Sequence, residues 1–172
     1  MTQHNMQHDR ELWELLDRTE TGLTPQQCLR LTTLIGESIM SVCHRDAILC
    51  KAMDPTLSQR QFMAIIQAPA DAKTARIVTD IVTTAYNATT RQIRAIMHGR
   101  ADDMTAIIMD AAQQALPARA QCLAVIAYLQ WMQGLTDEAE TAAIMALNID
   151  ADITLATTIL TAIHHGLHST RS

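Results

Sequence analysis

The chain has 172 residues, a formal net charge of −5, 48% apolar residues and only 3% aromatic ones. This length fits one domain, and five glycines and four prolines leave few places for the turns of a sheet-rich fold. The acidity is concentrated in residues 120–172, which hold one Lys or Arg against five Asp and Glu. An acidic chain without an overall basic stripe disfavours a duplex-binding protein.

Apolar residues at helical spacing predict a first helix around Trp13, which we expect to end at Gly22. The preceding residues 1–8 are polar, and we expect them to be disordered. They also lack the apolar segment of a signal peptide. The protein is therefore expected to be soluble and cytoplasmic.

The second helix has a strong start at Thr24-Pro-Gln-Gln27. Thr24 is placed as the cap, proline takes the first helical position, and Gln27 completes a capping box. The apolar stripe that follows continues to Met53 and predicts a long helix. Gly36 is the one place where we expect this helix to bend or split.

Residues 58–61, Ser-Gln-Arg-Gln, repeat the capping pattern and predict a short helix. It should end before Pro69, because the residue preceding a proline is pushed away from helical angles. Asp71 is expected to cap the next helix, whose apolar stripe continues to Gly99. We expect either one long helix over this stripe or two helices joined near Asn87.

Asp102 or Asp103 is expected to open a further helix that closes at Pro117. Glycines and capping residues then divide residues 117–166 into a C-terminal unit of three helices. The predicted boundaries of this unit are Pro117 to Gln133, Thr136 to about Asn148, and Asp152 to Gly166.

The predicted fold is therefore all-α, a bundle of about seven to eight helices in a single domain over residues 1–172. The four cysteines fall within apolar helical patterns and form no C-x-x-C pair, so we expect reduced, buried thiols. The uncharged stretch 120–136 contains three glutamines and is short for a membrane span. We expect no membrane association.

The sequence Tyr-Leu-Gln-Trp-Met-Gln-Gly at 128–134 resembles part of a tetratricopeptide repeat. Such repeats have small residues where paired helices touch and a glycine at the turn between them. The matching positions are Leu123, Ala127, Gly134, Ala139 and Ala146. The sequence departs from the repeat at Ala151, where proline is usual, and has no second copy. The resemblance implies a tetratricopeptide-like helical pair in the C-terminal third.

A wider set of residues resembles an actinobacterial family of unknown function. The C-terminal half of that family has an alanine-rich helix ending in A-x-x-x-W-x-x-G, then A-x-x-A-L, an acidic residue and L-A. The matches are Ala127 to Gly134, Ala143 to Leu147, Asp150 and Leu155-Ala156, with Leu23-Thr24 and Arg45-Asp46-Ala47 upstream. This resemblance covers residues 23–160 and implies fold and lineage but no activity. Members carry an additional N-terminal half, so the chain is expected to be either a short form or part of a longer protein.

Residues 44–46, His-Arg-Asp, match the catalytic-loop triplet of protein kinases. No glycine-rich phosphate loop precedes them, no D-F-G follows, and they lie within a predicted helix, so we exclude a kinase. Asp46 falls in phase with the apolar stripe and is expected to be buried beside a cation, with a cost of roughly 3 kcal/mol on its removal. A core ion pair is the favoured interpretation, and a ligand-binding site at Arg45 and Asp46 is the alternative. No catalytic residue is assigned.

Arg91, Arg94 and His98 line one helical face and, with Lys73 and Arg76, make this segment locally basic. Such a face could hold an anionic partner or a nucleic-acid backbone. A solvated face opposite the apolar stripe is the favoured interpretation, because every amphipathic helix presents one.

His164 and His168 stand at i, i+4 and could bind a metal ion from one helix face. No third strong ligand is adjacent, and histidines also suit the negative end of a helix dipole. We predict no metal site and no cofactor.

Most methionines fall on apolar faces, where they are expected to fill the core. A Met-rich groove that grips an amphipathic partner is the alternative. Trp131 is expected to be buried and to support the Gly134 turn from inside the C-terminal unit. An exposed Trp131 would instead mark a contact with a partner.

These observations favour a non-enzymatic helical module that acts through contacts with a protein partner or with itself, since no nucleophile, base and orienting group occur in recognisable order. The competing hypothesis is a regulatory or nucleic-acid-associated protein that uses the basic face of residues 73–98. A third possibility is an enzyme with an unfamiliar helical site around Arg45 and Asp46. The sequence names neither a reaction nor a substrate.

Overall fold

The computed structural model describes residues 3–87 and 91–167, with the side chains of residues 3, 4 and 91–98 outside the description. Within these ranges the fold is all-α, as predicted, with no strand. The α-helices are α1 (Gln3–Asp17), α2 (Pro25–Ser38), α3 (Val42–Met53), α4 (Gln59–Gln67), α5 (Ala72–Tyr86), α6 (Arg91–Gln114), α7 (Arg119–Gln133), α8 (Thr136–Ile149) and α9 (Thr154–His164). The described ranges thus hold nine helices, slightly more than the seven to eight expected.

Helix α1 begins at Gln3, inside the segment 1–8 that was expected to be disordered. Its second turn carries Asp9, which is buried. Oδ1 of Asp9 lies 3.0 Å from Nε2 of His44 on α3. Leu12 and Leu16, on the same side, are fully buried. Tertiary contacts therefore hold a segment whose polar composition gave no sign of order.

The long helix expected from residue 25 to Met53 is divided into α2 and α3 at residues 39–41, and not at Gly36. Gly36 is buried within α2, where a Cβ atom would lie 2.7 Å from the Cβ of Ala115. Glycine at this position thus permits close approach of α2 to the C-terminal end of α6. Its role is helix packing, which the sequence alone did not distinguish from a bend.

Three of the predicted helix starts are confirmed, whereas the last helix begins at Thr154 with Ile153 as its cap and not at Asp152. Thr24 and Gln27 form the capping box of α2, and Ser58 and Gln61 form that of α4. The side chain of Asp71 accepts hydrogen bonds from the backbone N–H groups of residues 73 and 74 at the start of α5. Local capping chemistry fixes these three boundaries.

The segment from Asp71 to Gly99 forms two helices, with Asn87 as the C-cap of α5. Helix α6 continues through Gly99 to Gln114, so the break expected between Gly99 and Asp103 is absent. A single glycine costs a helix only about 1 kcal/mol, and burial of the following residues Arg100, Ala101 and Met104 offsets that cost.

Helix α7 is the centre of the C-terminal half, where it packs against α6, α8 and α9. Gly134 ends α7 in the left-handed conformation with φ of 81°, as its position predicted. The buried residues of α8, which packs mainly against α7, are all alanines. These are Ala139, Ala142, Ala143 and Ala146.

None of the helices in the described ranges combines the length and the apolar character that a bilayer span requires.

Candidate functional site

The structure places Asp46 differently from the sequence prediction. Its side chain is 39% exposed, whereas that of Arg45 is only 10% exposed. The Arg45 guanidinium donates through Nε and Nη2 to Oδ1 of Asp46 at 3.0 and 2.8 Å. The ion pair is therefore present, but the cation is the buried member and the expected burial of Asp46 is wrong.

The error arises from the break between α2 and α3. The phase of Asp46 was extended from Ile39 and Val42, as though one helix continued through them. Residues 39–41 lie outside both helices, and Val42 is 55% exposed. Because the Asp46 carboxylate is 39% exposed, the value of roughly 3 kcal/mol expected for a buried carboxylate does not apply to it, although it remains the partner of the buried Arg45.

A buried polar cluster that the sequence analysis missed surrounds Lys51. This side chain is fully buried, and its Nζ donates to Oδ1 of Asp17 at 2.6 Å, to the carbonyl of Pro55 at 2.6 Å and to that of Leu57 at 3.1 Å. The ammonium also lies 5.3 Å from the ring centroid of Trp13, within the range of a cation–π interaction. All three ammonium donors are thus satisfied.

Arg100 of α6 joins the same cluster. Its Nε donates to the carbonyl of Lys51 at 3.1 Å and its Nη2 to that of Leu16 at 3.4 Å. Its Nη1 lies 2.8 Å from the carboxylate of Glu20. These carbonyls belong to the last turns of α3 and α1, where backbone acceptors lack intrahelical partners. Lys51 and Arg100 therefore join three helices, and we interpret the cluster as structural.

A second buried pair joins Asp9 to His44. Asp9 Oδ2 and His44 Nδ1 are buried and have no hydrogen-bond partner among the described residues. An Asp–His pair can orient a catalytic base, but the base must then present its other nitrogen to a substrate. The buried Nδ1 of His44 cannot do so in this conformation. The pair instead positions α1 against α3.

The buried thiols are not activated nucleophiles. Burial raises the pKa of Cys50 to about 12, with smaller contributions from the carboxylates of Asp46 and Asp54. Burial likewise raises the pKa of Cys122 to about 12. Both thiols are protonated at neutral pH, whereas the thiolate is the reactive form. Cys28 and Cys43 are half-buried, so the expectation of four buried thiols holds only for the other two.

The proposed basic face is only partly visible. Arg91, Arg94 and His98 belong to α6, but their side chains lie outside the described residues. Lys73 and Arg76 are exposed on α5. The structure therefore describes two of the five side chains of this face.

The C-terminal histidines are likewise only partly described. His164 is exposed and lies 3.2 Å from the carboxylate of Glu140 through Nε2, while His168 is outside the described residues. Within the described part of the chain, no three His, Cys, Asp or Glu side chains come together as a metal site.

Trp131 is half-buried at the edge of the core. Its ring lies 5.9 Å from that of Tyr86 and 6.0 Å from that of Tyr128, measured between centroids. Its indole Nε1 donates to the carbonyl of Leu167 at 3.0 Å. Trp131 therefore links α7 to the end of α5 and to the segment after α9. It is only half-buried, so it is not the fully buried support of the Gly134 turn that we expected.

Within the described residues, α6, α7 and α8 form a groove of about 510 Å³, here called the methionine groove. One wall carries Met109 of α6 and the other Met145 of α8, and these side chains are 37% and 42% exposed. The residues that line it are Met109, Ala112, Gln113, Arg119, Leu123, Ile126, Gln130, Asp137, Glu138, Thr141, Ala142 and Met145. Apolar side chains thus fill its middle, and its charged residues are Arg119, Asp137 and Glu138.

The methionine groove follows directly from helix periodicity. The α7 residues that line it stand at 119, 123, 126 and 130, which is one face of a helix. Helices α6 and α8 pack on either side of α7. The two partly exposed methionines were predicted as core, because no sequence pattern separates them from the buried Met104.

A second groove of about 450 Å³ lies between α1 and α2. Its lining is mostly polar and includes Glu11, Glu14, Arg18 and Arg30. The Arg30 guanidinium donates to both carboxylate oxygens of Glu11, at 2.9 and 2.7 Å. This ion pair neutralises two of the four charged residues named, and the lining lacks the exposed methionines of the methionine groove.

Comparison of the chain with protein-family models, with characterised proteins and with solved structures finds no match. The resemblances to the actinobacterial family and to a tetratricopeptide repeat therefore stay predictions.

Proposed function

We propose that this protein is a non-enzymatic interaction module that binds a segment of a protein partner in the methionine groove. The observation that carries the proposal is the pair of methionines, Met109 and Met145, exposed on opposite walls of an apolar groove. Exposed Met-rich surfaces adapt to partners of varied shape because the side chain is unbranched and polarizable.

The groove suits a helical segment in particular. Amphipathic helices bind by laying an apolar stripe into a groove, with anchors at i, i+3, i+4 and i+7. From Arg119 to Gln130 the floor extends over twelve residues of α7, and their eleven steps of 1.5 Å span about 16 Å. Three turns of a partner helix would cover this distance.

A small apolar ligand is the main alternative occupant, since pockets for such molecules also measure about 300–1,000 Å³. Those pockets enclose most of their ligand. The methionine groove has Met109 and Met145 exposed along its rim. This openness favours a partner that covers the groove over a molecule enclosed within it.

A library of displayed amphipathic helical peptides tests the proposal. Selection on the parent protein should enrich peptides with an apolar stripe, and Met145→Asp should abolish their binding because it places a charge on the apolar wall. Ile144→Asp is the matched control, because Ile144 is 45% exposed on the same helix but does not line the groove. Circular dichroism establishes that both variants fold.

Three results would contradict the proposal. One is the absence of any enriched peptide, and another is equal loss of binding in Met145→Asp and Ile144→Asp. The third is displacement of an apolar fluorescent probe from the groove by fatty acids but by no peptide, which would assign the groove to a small ligand.

The nucleic-acid hypothesis is tested separately, by the anisotropy of a labelled DNA duplex over a range of salt concentrations. Exposed Lys73 and Arg76 are its only described support. Binding that weakens steeply with salt would favour it, and absence of binding at low salt would remove it.

A further inference from the structure

The two ends of the methionine groove differ in charge. Helices α7 and α8 are joined by the short turn at Gly134 and Leu135, so they are antiparallel. Asp137 and Glu138, in the first turn of α8, consequently lie at the same end as Gln130 of α7. Arg119, the first residue of α7, lies at the opposite end.

The charges at both ends are available to a partner. Asp137 and Glu138 are exposed and make no ion pair with any residue that the structure describes. Arg119 is likewise exposed and forms no ion pair within the described ranges. Elsewhere on the surface, by contrast, Arg30 and Glu11 neutralise each other.

The acidic end of the groove also contains a buried polar atom without a hydrogen-bond partner among the described residues. The Oε1 atom of Gln130 is buried and has no hydrogen-bond donor in the described part of the chain. The end of the groove formed by Gln130, Asp137 and Glu138 therefore carries two exposed carboxylates, and these are the groups that a partner can reach.

We infer that the partner of the methionine groove is an amphipathic helix with a Lys or Arg at the end that meets Asp137 and Glu138, and an acidic residue at the end that meets Arg119. This inference rests on the proposed function and adds the chemistry of the partner. The apolar middle supplies affinity, while the two charged ends select partners and fix the direction in which the helix lies.

Three synthetic peptides provide the test. Each has about fourteen residues, with leucines at i, i+4, i+7 and i+11 to match the groove, and glutamic acid in the first turn. The last turn carries two lysines in one peptide, two glutamines in the second and two glutamates in the third. Affinities for the parent protein are measured by isothermal titration calorimetry.

The parent should bind the lysine peptide up to about tenfold more tightly than the glutamine peptide, which corresponds to about 1.4 kcal/mol and is the scale of two surface ion pairs. The glutamate peptide should bind most weakly. The preference should shrink on raising the salt from about 0.05 to 0.5 M, because exposed charges are screened.

The double substitution Asp137→Lys with Glu138→Lys should reverse the preference in favour of the glutamate peptide. The control is Asp80→Lys with Asp103→Lys, which changes the net charge equally at two exposed residues that do not line the groove. The control should retain the preference for lysine.

The outcomes distinguish the two proposals. If the three peptides bind equally well to the parent and to both double variants, the charge assignment is wrong while the proposed function stands. If the control double variant changes the preference as much as the groove variant does, the effect is one of net charge and the inference fails. If no peptide binds the parent at all, both proposals fail.

Discussion

The N-terminal and C-terminal parts of this bundle are held together by different interactions. Helices α1, α3 and α6 meet around two buried cations, Lys51 and Arg100, whose donors reach helix-terminal carbonyls and carboxylates. Helices α7 and α8 instead meet through alanines with no polar atom in the side chain, such as Ala139 and Ala143. One region depends on pairing of polar groups and the other on close approach of backbones.

The difference explains where the groove lies. Alanine contacts allow α8 to approach α7 closely, so the larger side chains of α8 project along its flanks. One of these, Met145, forms a wall of the methionine groove. In the N-terminal region long side chains reach inward and satisfy one another. A partner therefore finds free apolar surface mainly on the C-terminal part of the molecule.

The largest effect is expected at Lys51. Lys51→Ala removes a fully buried ammonium and leaves the carbonyl of Pro55 without its donor, while the carbonyl of Leu57 keeps only the indole N–H of Trp13. We expect it to lower the free energy of unfolding by about 3 kcal/mol, the lower end of the range for a broken buried pair, because Asp17 is partly exposed. Urea denaturation followed by circular dichroism measures the change.

Two further variants sharpen this prediction. Lys51→Met retains most of the side-chain volume, so any remaining loss reflects the missing hydrogen bonds rather than a cavity. Arg60→Met is the control, since Arg60 is exposed on α4. If Lys51→Met unfolds at the same urea concentration as the parent, the buried cation does not stabilise the N-terminal region and the comparison fails.

A smaller effect is expected at the alanine contact. Ala143→Leu inserts three carbon atoms where α7 and α8 touch, and overpacking of this kind typically costs about 1–3 kcal/mol. The control Asn148→Leu adds a similar side chain at an exposed position of the same helix and should leave stability nearly unchanged. Thermal melting compares the two. Equal stability of Ala143→Leu and the parent would mean that the contact has spare room.

Local signals in the sequence predicted much of the fold. Capping boxes at Thr24 and Ser58 and the left-handed Gly134 are encoded within a few residues, so each boundary could be placed without tertiary information. The division of α2 from α3 carried no such signal. Because one helix was extended across this division, Asp46 was assigned to the buried face, and that prediction was wrong.

The candidate sites were harder to predict because their contacts are long-range. Lys51 stands within an apolar run of α3, which hinted at burial, but its partner Asp17 is 34 residues away. Trp131 was correctly placed near the Gly134 turn, whereas its contacts with Tyr86 and Leu167 depend on how α5 and the segment after α9 return to α7. Helical spacing identifies an apolar face but does not tell whether a neighbour covers it.

The smallest effect is expected at the surface pair of Glu11 and Arg30, which tests whether polar pairing in the N-terminal region matters only when it is buried. The hydrogen bond from Arg30 lowers the pKa of Glu11 below its ordinary value of 4.5. A carboxyl whose pKa is lowered by folding stabilises the protein above the unfolded pKa, and this contribution is lost as the pH falls through the lowered value.

Because both side chains are more than one-third exposed, Glu11→Gln should cost less than about 1 kcal/mol at about pH 7. The difference from the parent should begin to shrink below pH 4.5 and disappear only at a pH below the lowered pKa of folded Glu11, where the parent's carboxylate is protonated too. Glu14→Gln, one turn away on the exposed side of α1, should be neutral throughout. Urea denaturation of the three proteins at several pH values measures these differences, and a loss at Glu11 as large as that at Lys51 would show that exposed pairs stabilise this region as strongly as buried ones.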